Sequence, residues 1–450
     1  MKFNAKELSD FARHYGFHYD GINTQALVKE ILLEIEKGLE GNKSSLPMIP
    51  SYITPVTRIP PGKTVLALDA GGTNLRSSLV RFNENGEASA QGTGKFPMPG
   101  ANGHVSAQQF FDTIADAALP LLKDTKIEGI GFTFSYPINI QPDADGILVT
   151  FTKEIDAPDV HGKAIGAGLR DALAGKGFIY NGPIVMLNDT AATLLSGIAS
   201  ISPDGESARS RNDFGAEGGP VIGFILGTGF NTAYPETKIP KINFESPESP
   251  QIVVCETGNC SAINRGQLDR EYDSTTKNPG SYPMEKTASG AYLGPLTLHI
   301  LKRAISDKVI RFKKSDELMA MPHLETRLLN DFICAPLSAH GHLGSLFNHD
   351  ESGAAAAVQY ISSIITERAA LFSAAVLAAT IERINPGLEP HSPVRIAVEG
   401  STYMLFKGMR RSLDSHLHQM LFRDKPRPYV ISPVEQASLF GAAVAALSKK

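Results

Sequence analysis

The sequence contains few cysteines, which argues against a fold held together by disulfides or by a zinc cluster. Its 450 residues include three cysteines. Cys255 and Cys260 lie close together, but no further cysteine or histidine pair is nearby to complete a zinc set. Reduced thiols in a cytoplasmic protein are the simpler interpretation, and we expect a cytoplasmic location.

The sequence also lacks a strong excess of charge and any long apolar stretch that is free of charges. A net charge of -4 provides no basic surface for nucleic acid. Residues 1–7 lack the apolar core of a secretory signal. Residues 354–384 are apolar but include Glu367, Arg368, Glu382 and Arg383, so we predict a buried alanine-rich helix rather than a membrane span. We expect no nucleic-acid partner and no membrane, while the oligomeric state stays open.

The standard nucleotide-binding motifs are missing too, but other glycine turns are present. No segment fits G-x-x-x-x-G-K-[ST], and no apolar run is followed by G-x-G-x-x-G. Instead, residues 69–74 (Asp-Ala-Gly-Gly-Thr-Asn) and 227–229 (Gly-Thr-Gly) each follow an apolar β-type run. Glycines and hydroxyl groups beside bare backbone N–H groups suit a polyphosphate. A nucleotide would therefore bind through paired β-turns.

Two aspartates accompany these turns. Asp69 ends a predicted strand, where it could act on Mg²⁺ directly or through water, or could simply close an Asx-turn. Asp189 follows another apolar run and could accept a proton from a substrate hydroxyl. The segment around Asp189 could also cap a helix, and the two roles are compatible. Two phosphate turns with an acid between them indicate an ATP-dependent kinase.

The order of these patterns indicates two related lobes. A chain of 450 residues predicts two or three domains. The strand, glycine turn and second strand near residue 70 recur near residue 227, and a third turn follows the predicted strand 394–398. Residues 27–35 have helical spacing, residues 202–219 read as an exposed loop, and residues 235–250 read as irregular. We predict two α/β lobes that face each other across a cleft.

Several polar residues outside the turns could form a site for a polyol. Ser135 ends a predicted strand, Lys153 follows a threonine, and Glu256 and Glu285 lie in later glycine-containing or charged segments. Each alone is more simply a solvated side chain. Gathered in one cleft, however, carboxylates and amides would accept the hydroxyls of a sugar.

Together these segments resemble the hexokinase family, in family order from about residue 66 to residue 403. Residues 66–76 and 227–231 resemble its two phosphate motifs, and residues 187–190 the stretch with its catalytic base. Residues 131–137, 151–153, 256, 278–280 and 285–294 look like its sugar-binding segments, and residues 399–403 like its adenosine turn. The chain differs in having Phe151 instead of tryptophan, Glu399 instead of aspartate, and little of the glycine run near residue 440.

The resemblance implies a two-lobed actin-like ATPase fold, a duplicated ribonuclease H-like α/β fold with the active site in the cleft. Residues 1–58 would pack as helices on the large lobe, residues 59–189 and 434–450 would form the small lobe, and residues 190–433 the large lobe. The reaction would be transfer of a phosphoryl group from ATP to the 6-hydroxyl of a hexose, most plausibly glucose.

The resemblance also implies a role for each site residue. Asp189 would be the base, and Lys153 would hold the sugar and offset charge on the phosphoryl group. No direct protein ligand is assigned to Mg²⁺, which would bind through the ATP phosphates with Asp69 and Asp189 nearby. The sugar would be bound by Ser135, Thr152, Asn188, Asn231, Glu256 and Glu285. ATP and its phosphates would be bound by Asp69, Gly71, Gly72, Thr73, Asn74, Arg76, Gly227, Thr228, Gly229, Gly400, Ser401 and Thr402.

Two other functions fit the sequence less well than a kinase. A non-catalytic sugar sensor on the same scaffold could lose the base or the phosphate turns, but both are intact here. An actin-like or chaperone-type ATPase would leave Thr152, Lys153, Glu256 and Glu285 unexplained together. The sequence does not rank glucose against mannose, fructose or glucosamine, and it does not reveal product inhibition.

Overall fold

The computed structural model describes residues 2–56, 59–151, 155–199, 219–338, 341–384, 392–423 and 426–448. The strands in these ranges are β1 (Ile49–Pro50), β2 (Thr64–Ala70), β3 (Asn74–Phe82), β4 (Ala88–Pro97), β5 (Ile130–Phe134), β6 (Ile138–Ile140), β7 (Gly146–Leu148), β8 (Ile184–Leu187), β9 (Val221–Leu226), β10 (Phe230–Glu236), β11 (Lys238–Ile239), β12 (Phe244–Glu245), β13 (Gln251–Val254), β14 (Val394–Glu399) and β15 (Tyr429–Pro433). The α-helices are α1 (Ala5–His14), α2 (Thr24–Glu40), α3 (Ala107–Leu122), α4 (Ile165–Gly175), α5 (Asp189–Ile198), α6 (Gln267–Ser274), α7 (Pro283–Ala288), α8 (Leu293–Ser306), α9 (Ser315–Ala320), α10 (Thr326–Cys334), α11 (Ser352–Ile384), α12 (Ser401–Leu405), α13 (Met409–Leu421) and α14 (Ala437–Ala446).

Two sheets repeat one topology. The first has the order β4-β3-β2-β5-β8, and the second has β13-β10-β9-β14-β15 with β1 added at its β13 edge. In each sheet the first three strands along the chain are antiparallel, and the last two pair in parallel. The predicted internal repeat is therefore confirmed, and so is the two-lobed α/β fold.

Two helices cross between the sheets. Helix α5 follows the last strand of the first sheet but packs on β9 and β14 of the second. Helix α14 follows the last strand of the second sheet and packs on β2 and β5 of the first. A Cβ atom on Gly441 would lie 2.0 Å from the carbonyl oxygen of Ala192, and one on Gly131 would lie 1.8 Å from that of Ala442. Glycine is needed at both positions because the backbones approach so closely.

Helix α11 forms the centre of the second lobe. It is long and apolar enough by composition to cross a membrane, but 94% of its apolar window is buried inside the protein. The prediction of a buried alanine-rich helix is confirmed. Fully buried Arg368 donates two hydrogen bonds to Asp269, with N–O distances of 2.7 and 2.6 Å. Helices α1 and α2 pack on the same helix and share its apolar core.

Some predictions about connecting segments need correction or stay untested. Residues 235–250 are not wholly irregular, because β10 continues to Glu236 and β11 and β12 then form a short ribbon. The predicted loop 202–219 lies outside the described residues except for its last residue. The domain boundaries at 58, 189 and 433 stay a prediction. The three cysteines are unpaired, Cys255 and Cys260 in the interior and Cys334 at the surface.

Candidate active site

A cleft of about 440 Å³ lies where the ends of the two sheets meet. It brings together parts of all three predicted turns and the predicted base. Its lining consists of Asp69, Gly71, Gly72, Thr73, Asn74, Arg76, Ser135, Asp189, Ile225, Gly227, Thr228, Gly229, Glu399, Gly400, Ser401 and Ser438. These segments are distant in the chain but converge because each follows a strand at the same edge of its sheet.

The first glycine turn connects β2 to β3. It is closed by a hydrogen bond from the N–H of Gly71 to the carbonyl of Asn74, at 2.9 Å. The hydroxyl of buried Tyr136 lies 2.8 Å from the carbonyl oxygen of Gly71 and 2.9 Å from that of Gly72. Asp69 precedes the turn and faces Arg76 across the hairpin, with 3.7 Å between carboxylate and guanidinium. The backbone of the turn is thus held by hydrogen bonds, and the carboxylate of Asp69 and the guanidinium of Arg76 lie beside it.

The second and third turns support each other. Gly227 donates its N–H to the carbonyl of Gly229 at 3.1 Å. Gly400 has a φ of 130°, and a Cβ atom there would lie 2.3 Å from the carbonyl oxygen of Leu226. Thr402, expected to bind the nucleotide, is buried and donates its hydroxyl to the carbonyl of Gly227 at 2.9 Å. In this structure Thr402 therefore holds the second turn and does not line the cleft.

Asp189 is the first residue of α5 and is separated from the end of β8 by Asn188 alone. Asn188 caps the helix, because its side-chain oxygen accepts the N–H of Thr190 at 2.7 Å. The Thr190 hydroxyl lies 3.3 Å from one oxygen of Asp189. A helix N-terminus favours a negative charge, so the position suits an ionised carboxylate. Asn188 makes this local cap and is absent from the cleft lining, whereas Asp189 is part of it.

The predicted sugar residues of the second lobe form a separate polar cluster. Asn231 donates its side-chain amide to Glu256 at 2.8 Å and accepts the N–H groups of Thr232 and Thr257. Glu285 accepts the N–H of Phe230 at 3.2 Å. The cluster adjoins the cleft, since a Cβ atom on Gly229 would lie 3.1 Å from an oxygen of Glu285.

The protein raises the pKa of both glutamates in this cluster. Burial raises the pKa of Glu256 to about 7, although the hydrogen bond from Asn231 lowers it and the charges of Asp189 and Glu285 raise it further. Burial likewise raises the pKa of Glu285, opposed by its hydrogen bond from Phe230. Both glutamates respond to the charge of Asp189, which places the predicted base and the predicted sugar carboxylates in one electrostatic site.

Two polar lining residues, Glu399 and Ser438, have no role assigned from the sequence. Burial raises the pKa of Glu399 to about 7, opposed by a hydrogen bond from the N–H of Ala437, and the charges of Asp189 and Asp69 raise it further. Burial also raises the pKa of Asp69 to about 6, and Arg76 lowers it. Glu399 is the last residue of β14, and Asp69 is the last but one of β2. This shared position of an acidic residue at a strand end is the sequence signal that could have predicted Glu399 in the cleft.

Thr152 and Lys153 lie outside the described residues, so their predicted roles stay predictions. The residue before them, Phe151, contacts the ring of Tyr136 at 5.1 Å between centroids and that of Phe110 at 5.5 Å. Phenylalanine thus fills an aromatic cluster at the position where the hexokinase family usually has tryptophan. Of the other predicted sugar residues, Ser135 lines the cleft.

Comparison of the sequence with known families identifies the protein. Two profiles described as Hexokinase match residues 9–199 and residues 221–448. The chain belongs to the hexokinase family. It is therefore a hexose kinase, as its phosphate turns and acidic cluster had indicated.

The individual relatives have low sequence identity to this chain, and the two yeast proteins match it over nearly its full length. Hexokinase-2 of Candida albicans is 28% identical, with 95% of this chain and 89% of that protein covered. Hexokinase-2 of Saccharomyces cerevisiae has the same identity and coverage. Human Hexokinase-3 is also 28% identical over 82% of this chain, which corresponds to 39% of that longer protein.

Solved structures support the fold. The hexokinase of Schistosoma mansoni complexed with glucose superposes with a TM-score of 0.75 at 24% identity, covering 99% of this chain and 100% of that one. A second hexokinase structure gives a TM-score of 0.70 at 22% identity, covering 99% of this chain and 96% of that one. These superpositions confirm the predicted actin-like ATPase fold for the part of the chain that the structure describes.

Proposed function

We propose that the protein transfers the γ-phosphoryl group of ATP to the 6-hydroxyl of a hexose, with glucose as the first candidate. The observation that carries the proposal is the position of Asp189. Its carboxylate lines the same cleft as the glycine turns of both lobes. Its charge also acts on Glu256 and Glu285, which lie beside that cleft. A phosphate donor and a sugar acceptor would therefore meet at this carboxylate.

The acceptor would be held by the polar cluster of the second lobe. Asn231 donates to one carboxylate oxygen of Glu256, and within the described part of the chain no hydrogen bond is found to the other oxygen. A carboxylate accepts several hydrogen bonds, so Glu256 and Glu285 together can receive neighbouring sugar hydroxyls. Asp189 would then accept the proton of the attacking hydroxyl, and Lys153 would offset the phosphoryl charge.

The donor side of the cleft fits both a polyphosphate and a divalent cation. Both glycine turns line the cleft, and Arg76 provides a positive charge there. The negative charge of Asp189 raises the pKa of both Asp69 and Glu399, and a cation would relieve this repulsion. Asp69 would hold Mg²⁺ directly or through water. Bound Mg²⁺ would neutralise charge on the phosphates.

A cytoplasmic location is part of the proposal. The three cysteines are unpaired, and unpaired thiols are usual in a reducing compartment.

The proposal is tested by measuring ADP release from Mg·ATP with and without glucose, mannose, fructose and glucosamine. We expect turnover that depends on sugar, and the ratio of kcat/KM values names the preferred hexose. Asp189→Asn, which keeps the shape of the side chain, is the matched inactive control. Sugar binding by calorimetry without sugar-dependent ADP release would contradict the proposal and favour a sugar sensor. ADP release that ignores every sugar would mean that the polyol site is misassigned.

A further inference from the structure

A buried group of charged side chains connects the short helix α7 to α6. Asp273 of α6 accepts a hydrogen bond from the ammonium group of Lys286 on α7, and Arg265 donates to its other carboxylate oxygen at 2.9 Å. Asp273 is 6% exposed and Lys286 is 4% exposed. Burial raises the pKa of Asp273, but the hydrogen bonds from Lys286, Arg265 and the N–H of Gly280 lower it by more. Asp273 is therefore ionised between two cations, and we call these three side chains the Asp273 cluster.

The Asp273 cluster also holds the loop that joins the two helices. Lys286 donates a second hydrogen bond to the carbonyl of Asn278, at 2.6 Å. Gly280 donates its N–H to Asp273 at 3.0 Å, and its φ of 81° is one that favours glycine. The anion and the cation of one ion pair thus each bind the backbone of this loop as well as each other.

Helix α7 is too short to keep its orientation by itself. It has six residues, starts with Pro283, and is preceded by Tyr282, which makes no side-chain capping hydrogen bond. An isolated helix of fewer than about 12 residues is marginal in water. The rotation of α7 about its axis therefore depends on the contacts that its side chains make with the rest of the lobe.

Glu285 and Lys286 are consecutive residues of α7 and attach it on two different sides. Glu285 accepts the N–H of Phe230 at 3.2 Å, and a Cβ atom on Gly258 would lie 3.3 Å from the Cβ atom of Glu285. Successive side chains of a helix point about 100° apart. Because Lys286 is bound to Asp273, the direction in which Glu285 points is fixed as well.

We propose that Asp273 and Lys286 are positioning residues for the hexose, because their ion pair orients α7 so that Glu285 stays beside Glu256 in the polar cluster. Neither is among the described residues that line the cleft, so they act through Glu285. Without the ion pair α7 can rotate, and Glu285 loses its hydrogen bond from Phe230. This inference rests on the proposed function, since it requires Glu285 to bind the sugar.

The direct test is the glucose affinity of Lys286→Met, measured by calorimetry. Methionine keeps the length of the side chain, and Asp273 keeps its ion pair with Arg265. We expect the glucose Kd to rise by about tenfold or more, since a hydrogen bond to a charged group is lost. The glucose KM should rise in parallel while kcat stays within about threefold, as for a loss of binding that is equal in the ground and transition states.

A double-mutant cycle tests whether Asp273 and Lys286 act as one pair. Asp273→Asn alone should also raise the glucose Kd, because α7 loses the same ion pair. The double variant Asp273→Asn/Lys286→Met should then be no worse than the weaker-binding single variant. Asp273→Asn also tests the contact if Lys286→Met does not fold.

Two control variants separate positioning from a general loss of stability. Asp269→Asn breaks the other buried ion pair of α6, whose partner Arg368 lies on α11. It should lower the midpoint of urea unfolding at least as much as Lys286→Met does, with a glucose Kd within about twofold of wild type. Lys302→Met is the same substitution on α8, where the lysine donates to the carbonyl of Met321 at 2.6 Å. It should also leave the glucose Kd within about twofold.

Three results would overturn the inference. The first is a glucose Kd of Lys286→Met within about twofold of wild type. The second is an equal loss of affinity in Asp269→Asn, which would make the effect one of stability. The third is additivity in the double variant. These results come from binding, whereas the proposed function is tested by sugar-dependent ADP release, so the two failures are distinguishable. A wild-type protein that binds no hexose would overturn both.

Discussion

The raised pKa of Glu256 predicts that glucose affinity depends on pH near neutrality. Burial raises this pKa to about 7, above the usual value of 4.5 for glutamate. The ionised form accepts hydroxyl hydrogen bonds that are roughly twice as strong as neutral ones. Glucose should therefore prefer the ionised form, and its binding should release a proton below the pKa. Affinity should rise with pH and level off above the pKa.

The size of the effect follows from the fraction of Glu256 that is ionised. With a pKa of about 7 that fraction is about 0.03 at pH 5.5 and about 0.76 at pH 7.5. If only the ionised form binds, the Kd should tighten by about 25-fold over this range, which is about 2 kcal/mol. Glu285 also has a raised pKa, so its ionisation changes affinity in the same direction. The charge of Asp189 also acts on Glu256. Its contribution is separated by repeating the titrations in Asp189→Asn. All titrations are made without nucleotide.

The assay is calorimetric titration of glucose at several pH values, repeated in buffers of different ionisation enthalpy. The dependence of the binding heat on the buffer gives the number of protons released. A general loss of protein stability would not produce this proton release. Glu256→Gln cannot ionise, so it should bind weakly with a much flatter pH profile. Glu367→Gln is the matched control. Glu367 is bonded to Ser412 and His416 outside the cleft lining, and its replacement should leave the profile unchanged.

A glucose Kd that is constant between pH 5.5 and 7.5, with no proton release, would refute the reasoning. It would mean either that Glu256 is ionised throughout this range or that it does not contact the sugar. The glucose affinity of Glu256→Gln distinguishes these two explanations. A variant that still binds glucose with wild-type affinity shows that the contact is absent.

The remaining predictions concern catalysis, the adenosine turn and the core. Asp189→Ala should lower kcat by several orders of magnitude with little change in sugar affinity, and a variant that keeps more than about a tenth of wild-type kcat would exclude the assigned base. Gly400→Ala should raise the KM for ATP by about tenfold or more, because its Cβ atom would lie 2.3 Å from a backbone oxygen. Gly408→Ala, which also has a positive φ but open space around it, should change the KM little, and equal effects would refute the steric argument. Arg368→Met leaves the carboxylate of Asp269 buried without its partner and should destabilise the protein by about 3–5 kcal/mol in urea unfolding. A loss below about 1 kcal/mol would contradict that estimate.

The parts of the candidate site that are formed by residues adjacent in the chain could be predicted from the sequence. A strand followed by glycines and a hydroxyl residue predicts a tight turn, and the structure has such turns at Gly71 and Gly227 beside one cleft. Their binding of phosphate stays a prediction. Asp189 was found because it joins an apolar strand to a helix. These features depend on residues that are adjacent in the chain, so their local chemistry is visible without the fold.

The contacts that complete the site join distant residues and were not predicted. The hydroxyl of Thr133 donates to the carbonyl of Ser438, 305 residues away, which helps to place Ser438 at the cleft. The sequence shows that Glu399 stands where the family usually has aspartate. Only the packing of the fold shows that the charges of Asp69 and Asp189 act on Glu399. Thr402 has the residue type expected at a nucleotide site. The motif alone does not tell whether its hydroxyl faces the ligand or, as here, the carbonyl of Gly227.

The duplicated topology explains how the proposed phosphate site combines turns from both lobes. Each lobe ends with a helix that crosses to the other sheet, so α5 and α14 both begin at the cleft. Asp189 is the first residue of α5, and Ser438 is the second of α14. Two helix N-termini facing one space provide the partial positive charge that favours phosphates. In the proposed sugar cluster, Asn231 lies on β10, Glu256 follows β13 and Glu285 lies on α7, all in the second lobe. Repetition of the fold therefore accounts for a proposed donor site that both lobes share, whereas the proposed acceptor cluster comes from elements of the second lobe.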